Sequence, residues 1–113
     1  MLYHLALAHE WAAAQAAGAY ERSTIGLTLD DVGFIHLSRA DQVQGTADAY
    51  YRDADADAVL LLRIDPALVG SEVRDDPVGD TTFPHLYGPL PVAAVVEATP
   101  LTREVDGRWR TGL

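Results

Sequence analysis

The run Ala58-Val59-Leu60-Leu61-Leu62 is apolar at every position. A strand turns successive side chains to opposite faces, so an apolar residue at every position calls for burial on both faces. The segment from Ala56 to Ile64 therefore reads as the strongest strand of the chain. At 113 residues the chain is long enough for one core without metal or disulfide staples, and residues 1–113 read as a single domain.

The other elements follow from local chemistry. Leu2 to Leu7 reads as a first strand. Ala8 to Ala17 has the composition of a helix, and Gly18 stands where a helix commonly ends in a left-handed residue. Ala19 to Val32 mixes Gly, Ser, Thr and Asp and reads as a surface loop, followed by a short strand from Gly33 to Leu37. A helix is expected from Ser38, as its cap, to about Tyr51, with Val43, Ala47, Tyr50 and Tyr51 facing the core. Asp65-Pro66 suits a cap and one helical turn, ended by Gly70. Ser71 to Arg74 is a further strand candidate, and Asp75 to Thr82 reads as an acidic loop. Pro84 and Pro89 argue against a long regular strand around His85. Pro91 to Thr99 reads as a buried strand, and Asp106-Gly107 suggests a type I′ turn in a terminal hairpin. The fold class is α+β, a small split or mixed β-sheet with two outer helices.

Three of the four histidines occupy short, distinctive settings: Tyr3-His4-Leu5, Phe34-Ile35-His36-Leu37-Ser38, and Pro84-His85-Leu86-Tyr87-Gly88. Each lies in or beside a strand, so three imidazoles from separate regions are expected to converge on one ligand or catalytic pocket. His4 has two readings: a ring that orients a ligand, or a buried neutral histidine bonded to backbone. Ser38 is two residues from His36 and shares its face if the strand continues; its competing role is the helix cap. Tyr87 and Gly88 belong to a rigid pocket wall, with Gly88 allowing a close approach to a ligand. Asp76 is placed to reach His85. Three histidines can also hold a divalent ion, but the spacing matches no metal motif, and His9 reads as solvated surface.

Composition narrows the partners. The chain contains no cysteine, which excludes thiol chemistry and thiolate metal sites. The net charge is −9 and there is no lysine, so nucleic acid is not an expected partner. A small-molecule ligand or nucleotide is expected instead. No basic leader and no apolar stretch near the roughly 20 residues needed to span a bilayer is present, so no membrane association and a cytoplasmic location are expected.

Tyr3-His4, Gly33-Phe34-Ile35-His36-Leu37-Ser38, Leu62-Arg63-Ile64-Asp65-Pro66 and Phe83-Pro84-His85-Leu86-Tyr87-Gly88-Pro89-Leu90 together resemble the bacterial family called domain of unknown function 952, over about residues 2–101. At Asp75-Asp76 the chain departs from the Trp-Glu usual in that family. The order of Tyr-His, helix, His-Leu-Ser and a strand ending in Ile-Asp also resembles tRNA 2′-phosphotransferases. These have the ADP-ribosyltransferase fold, a split sheet that cradles NAD. That resemblance implies an ADP-ribosyltransferase-like domain binding NAD or a related nucleotide, acting at the nicotinamide-ribose bond. It implies that His4 and Ser38 orient the ribose, that His36 and His85 bond ribose or phosphate, and that Tyr87 and Gly88 close the pocket. Asp76 would stabilise an oxocarbenium-like transition state. The acidity of the chain separates it from a tRNA substrate. The alternative is a non-catalytic module that uses the same pocket to bind a metabolite or a protein partner.

Overall fold

The computed structural model describes residues 1–55 and 58–113. The expected start of the principal strand at Ala56 and Asp57 lies outside the described residues. The strand itself, β4, runs over Val59–Ile64; it is numbered after β1 (Leu2–Leu7), β2 (Ala19–Tyr20) and β3 (Ile35–His36). It lies between β1 and the later strand β8 (Val95–Pro100), both antiparallel to it. Both of its faces are covered. Leu62 and Ile64 enter one apolar cluster with Ala6, while Val59 and Leu61 enter another with Leu5.

Each cluster is closed by a helix. The first, α1 (Ala8–Ala17), sets Trp11 and Ala14 into the Leu62 cluster and ends at Gly18, whose φ of 92° is the left-handed cap its sequence suggests. A single turn, α2 (Leu29–Val32), follows a capping box between Thr28 and Asp31. Next, α3 (Val43–Tyr50) sets Val43 and Ala47 into the Leu61 cluster, joined by Tyr51, whose hydroxyl donates to the Leu5 carbonyl at 3.0 Å. Tyr50, expected in the core, is 52% exposed because it falls on the opposite side of α3. Ser38 is not the cap. The chain stays extended through it, and a 3-10 turn begins after Arg39, whose N–H donates to Gln42 Oε1.

A second antiparallel sheet has the order β3-β6-β5, with β5 over Val73–Val78 and β6 over Thr81–Leu86. The acidic loop expected over Asp75 to Thr82 is therefore a hairpin, turning at Gly79 and Asp80. Pro77 is accommodated because β5 is an edge strand. Pro84 stands inside the central strand, against expectation. Leu37 N–H donates to its carbonyl at 2.9 Å, and proline has no N–H to return. The ladder is half made there, where the chain leaves β6 to exchange two backbone hydrogen bonds between Tyr3 and Ser38.

The remaining strands form two ribbons. Tyr20, in what read as loop, is 1% exposed and belongs to β2, paired with β7 (Leu90–Pro91). The strand expected over Pro91 to Thr99 is broken by a 3-10 turn at Val92–Ala94; β8 begins only at Val95, and its side chains are mostly exposed, Val96 at 48%, because it is a sheet edge. The terminal hairpin pairs β9 (Thr102–Arg103) with β10 (Trp109–Arg110). Its turn is not type I′, since only Gly107 has positive φ; Gly107 N–H donates to the Glu104 carbonyl, closing a turn with a glycine bulge. Among the described residues every strand pairing is antiparallel, so neither sheet is mixed. Among the described residues, no helix is long and apolar enough to cross a membrane.

The space a side chain at Gly88 would fill is held by Ser71. The close approach made by this glycine is to its own chain. Gly88→Ala is expected to cost about 1–3 kcal/mol, from overpacking in a site that cannot yield. Ser71→Gly in the same background should restore most of it, measured by urea denaturation of the single and double variants.

Candidate functional site

Alternation along the second sheet gives it two unlike faces. Ile35, Leu37 and Leu86 point into the Leu62 cluster. The other face carries Phe34 and His36 from the β3 segment, Phe83, His85 and Tyr87 from the β6 segment, and Arg74 and Asp76 from β5. His36 and Arg74 both stand directly opposite His85 in the register. This period-2 pattern is present in Phe83-Pro84-His85-Leu86-Tyr87, where the proline disguised a strand.

Hydrogen bonds join these side chains in series. Asp76 Oδ2 accepts from His85 Nδ1 at 2.8 Å and also from the Tyr87 hydroxyl. His85 Nε2 lies 3.3 Å from His36 Nδ1. His36 Nε2, at the end of the series, is buried and has no hydrogen-bond partner among the described residues. Rings shield the series from water. Phe34 stacks on His85 with centroids 3.9 Å apart, and Phe83 packs on His36 at 4.8 Å. The Arg74 guanidinium sits over Tyr87, 4.7 Å from the ring centre.

The electrostatics follow from these contacts. The bonds from Tyr87 and His85 hold the Asp76 carboxyl below the usual carboxylate range, and that carboxylate raises Tyr87. Burial, reinforced by the neighbouring His85, lowers His36 to about 4. His36 is therefore a neutral imidazole near pH 7.

The three histidines do not meet as one cluster. His36 and His85 are bonded to each other, but His4 is turned to the core side and touches only the backbone of His36. Its Nδ1–H donates to the His36 carbonyl at 2.7 Å, and its Nε2 accepts from the Tyr20 hydroxyl at 3.0 Å. Burial lowers His4 to about 4. It is the backbone-bonded neutral histidine, with no ring nitrogen left for a ligand. Ser38 is likewise engaged. Thr46 donates to the Gln42 carbonyl, so the Ser38 hydroxyl donates to Thr46 Oγ1 at 3.3 Å. Asp76, His85 and Tyr87 do come together with His36. Phe34, Phe83, Ser23 and Arg74 were not singled out by the sequence. Ser23, an isolated serine in an apparent loop, accepts the His36 N–H at 3.1 Å.

Fold and site together describe a small antiparallel α+β domain with a histidine–carboxylate series on one sheet face. The chain belongs to the family described as "Protein of unknown function (DUF952)", whose sequence pattern matches residues 5–98. It is similar to the crystal structure of protein CC0527 from Caulobacter crescentus, with 34% identity and a TM-score of 0.84, covering 98% of this chain and 94% of that one. It is also similar to the solution NMR structure of CC0527, with 33% identity, a TM-score of 0.77, and coverage of 95% and 89%. No curated protein matches the sequence. The family resemblance is thereby shown; the ADP-ribosyltransferase-like one is not supported.

The buried histidine makes a pH prediction. His4 has a folded value of about 4 against 6.5 when unfolded, so the unfolded chain takes up the proton first. The stability it contributes is complete above the unfolded value and is lost as pH falls towards the folded one. Urea denaturation at about pH 7 and about pH 4.5 should differ by about 2–3 kcal/mol from this group, with His36 adding to the same slope. His4→Gln should be less stable at neutral pH and should show a flatter dependence.

Proposed function

We propose that the outer face of the second sheet is a proton-transfer site for a small molecule, with His36 meeting the ligand and His85 and Asp76 behind it. The observation that carries this reading is the series Asp76–His85–His36, which ends on a buried nitrogen with no partner. A carboxylate only accepts, so His85 donates from Nδ1. On this reading the His36 proton is assigned to Nδ1, where it is donated to His85 Nε2, and a bare lone pair is left on His36 Nε2.

That arrangement defines a general base. A proton from a ligand O–H passes to His36 Nε2, and the ligand oxygen keeps the bonding pair. The proton on His36 Nδ1 then passes to His85 Nε2. Positive charge comes to rest on His85, beside Asp76, instead of on the desolvated His36. Tyr87 donates to the same carboxylate oxygen as His85. The part played by Asp76 is to orient and compensate His85; its shared oxygen is committed to that purpose.

The residues first assigned to NAD do not fit it. A diphosphate needs cationic or N–H donors. The lone pair of His36 would repel a phosphate oxygen, and the nearby Arg39 and Arg74 are paired with Asp75 and Glu72. His4 and Ser38 are bonded within the protein, and Ser71 fills the space at Gly88. The proton relay stands without a nucleotide.

An unspecific ester such as 4-nitrophenyl acetate tests the base, since an unprotonated ring nitrogen that the ester reaches activates water or attacks it. Hydrolysis near pH 8 should exceed that of His36→Gln, and Asp76→Asn should lose about 10–100-fold. Nitrogen-detected NMR should find His36 Nε2 bare and His85 Nδ1 protonated at the same pH. A rate unchanged in His36→Gln would sink the reading.

A further inference from the structure

A groove of about 370 Å³ lies beside the site, between the turn at Ala40–Gln42, helix α3 and the start of β6. That volume is within the range of small-molecule sites. Gln42, Gly45, Ala49, Tyr50, Thr81 and Phe83 are among its lining residues. Phe83 belongs to both places: it walls the groove and packs on His36. Its ring therefore borders both the groove and the His36 imidazole.

Gly45 supplies an independent observation. It stands within α3 with ordinary helical backbone, so no left-handed turn requires glycine there. A Cβ built on it would meet nothing within 4 Å, so no close packing requires it either. Glycine inside a helix is less favourable than alanine. Gly45 is exposed on the groove, and its missing side chain leaves that wall open. Tyr50, half exposed at the same groove, gives a second aromatic wall opposite the polar turn.

From these features, and resting on the reading of His36 as a bare base, we infer that the groove binds a small planar molecule bearing a hydroxyl. The ring lies over Gly45 against Tyr50. The Phe83 side chain turns aside, and the ligand O–H donates to His36 Nε2. A lone pair with no proton rejects an acceptor at this point, so an ether in place of the hydroxyl binds more weakly. The class of ligand is phenol-like: an apolar planar body with one hydrogen-bond donor.

Phenol and its methyl ether, anisole, are the probes, titrated by NMR into the intact chain near pH 8. Phenol should shift the signals of Gly45, Tyr50, Phe83 and His36 with millimolar affinity and bind several-fold tighter than anisole. Gly45→Leu should abolish the phenol shifts while holding or raising Tm, because leucine is the better helix former. Gly45→Ala, the smaller change, should raise Tm and weaken phenol binding in part. Equal binding of phenol and anisole, phenol binding retained in Gly45→Leu, or no binding of phenol would each overturn the inference. Failure of the two readings is distinguishable. Ester hydrolysis that depends on His36, with no preference for phenol, removes the groove and keeps the base. Preference for phenol without such hydrolysis keeps the groove and removes the base.

Discussion

The two three-stranded sheets meet where β1 passes the end of β3, and the His4 imidazole fastens that crossing. Two backbone bonds between Tyr3 and Ser38 join the strands, and the His4 Nδ1–H bond to the His36 carbonyl adds a third tie one residue away. A buried carbonyl without a partner would cost about 1–3 kcal/mol, so the tie matters most for what its absence would leave. On the other side of His36, Ser23 accepts its backbone N–H. The backbone of His36 is thus held by two side chains before its own ring makes any contact. The direction of that ring, and with it the whole series to Asp76, depends on this hold. His4 is therefore a support for the site, not a member of it.

The parts of the fold legible in the sequence were those fixed by short-range chemistry. The bounds of β1 and α1, the left-handed Gly18, the two-faced burial of β4 and the Asp65-Pro66 turn all follow from a residue and its near neighbours. What escaped was set by distant partners. Pro77 and Pro84 look like strand breakers until an edge and a half-made ladder excuse them. Tyr20 looks like loop until β7 pairs with it. Ser38 has the chemistry of a cap, but Tyr3 keeps it extended and Thr46 takes its hydroxyl.

The site was legible in kind but not in connection. His36, His85, Asp76 and Tyr87 stood out as residues with useful chemistry. Their order in a series comes from the β3–β6–β5 register, which aligns His36 with His85 and sets Asp76 one diagonal step away. A slip of one residue in either pairing would send one of these groups into the core. The same register brings Phe34 and Phe83 over the imidazoles, so a strongly acidic chain contains a locally dry and mostly aromatic patch.

The outermost strands of the two sheets have a consequence for life in a crowded solution. Strands β8 and β5 each pair on one side only, leaving backbone groups that could template a further strand. Both carry the means of refusing one. β5 sets Arg74, Asp75 and Asp76 in succession before Pro77, and β8 carries Glu97 and ends at Pro100. A neighbouring molecule offering its own edge meets like charge and missing donors. The net charge of −9 thus sets like charge against like where two copies would meet edge to edge.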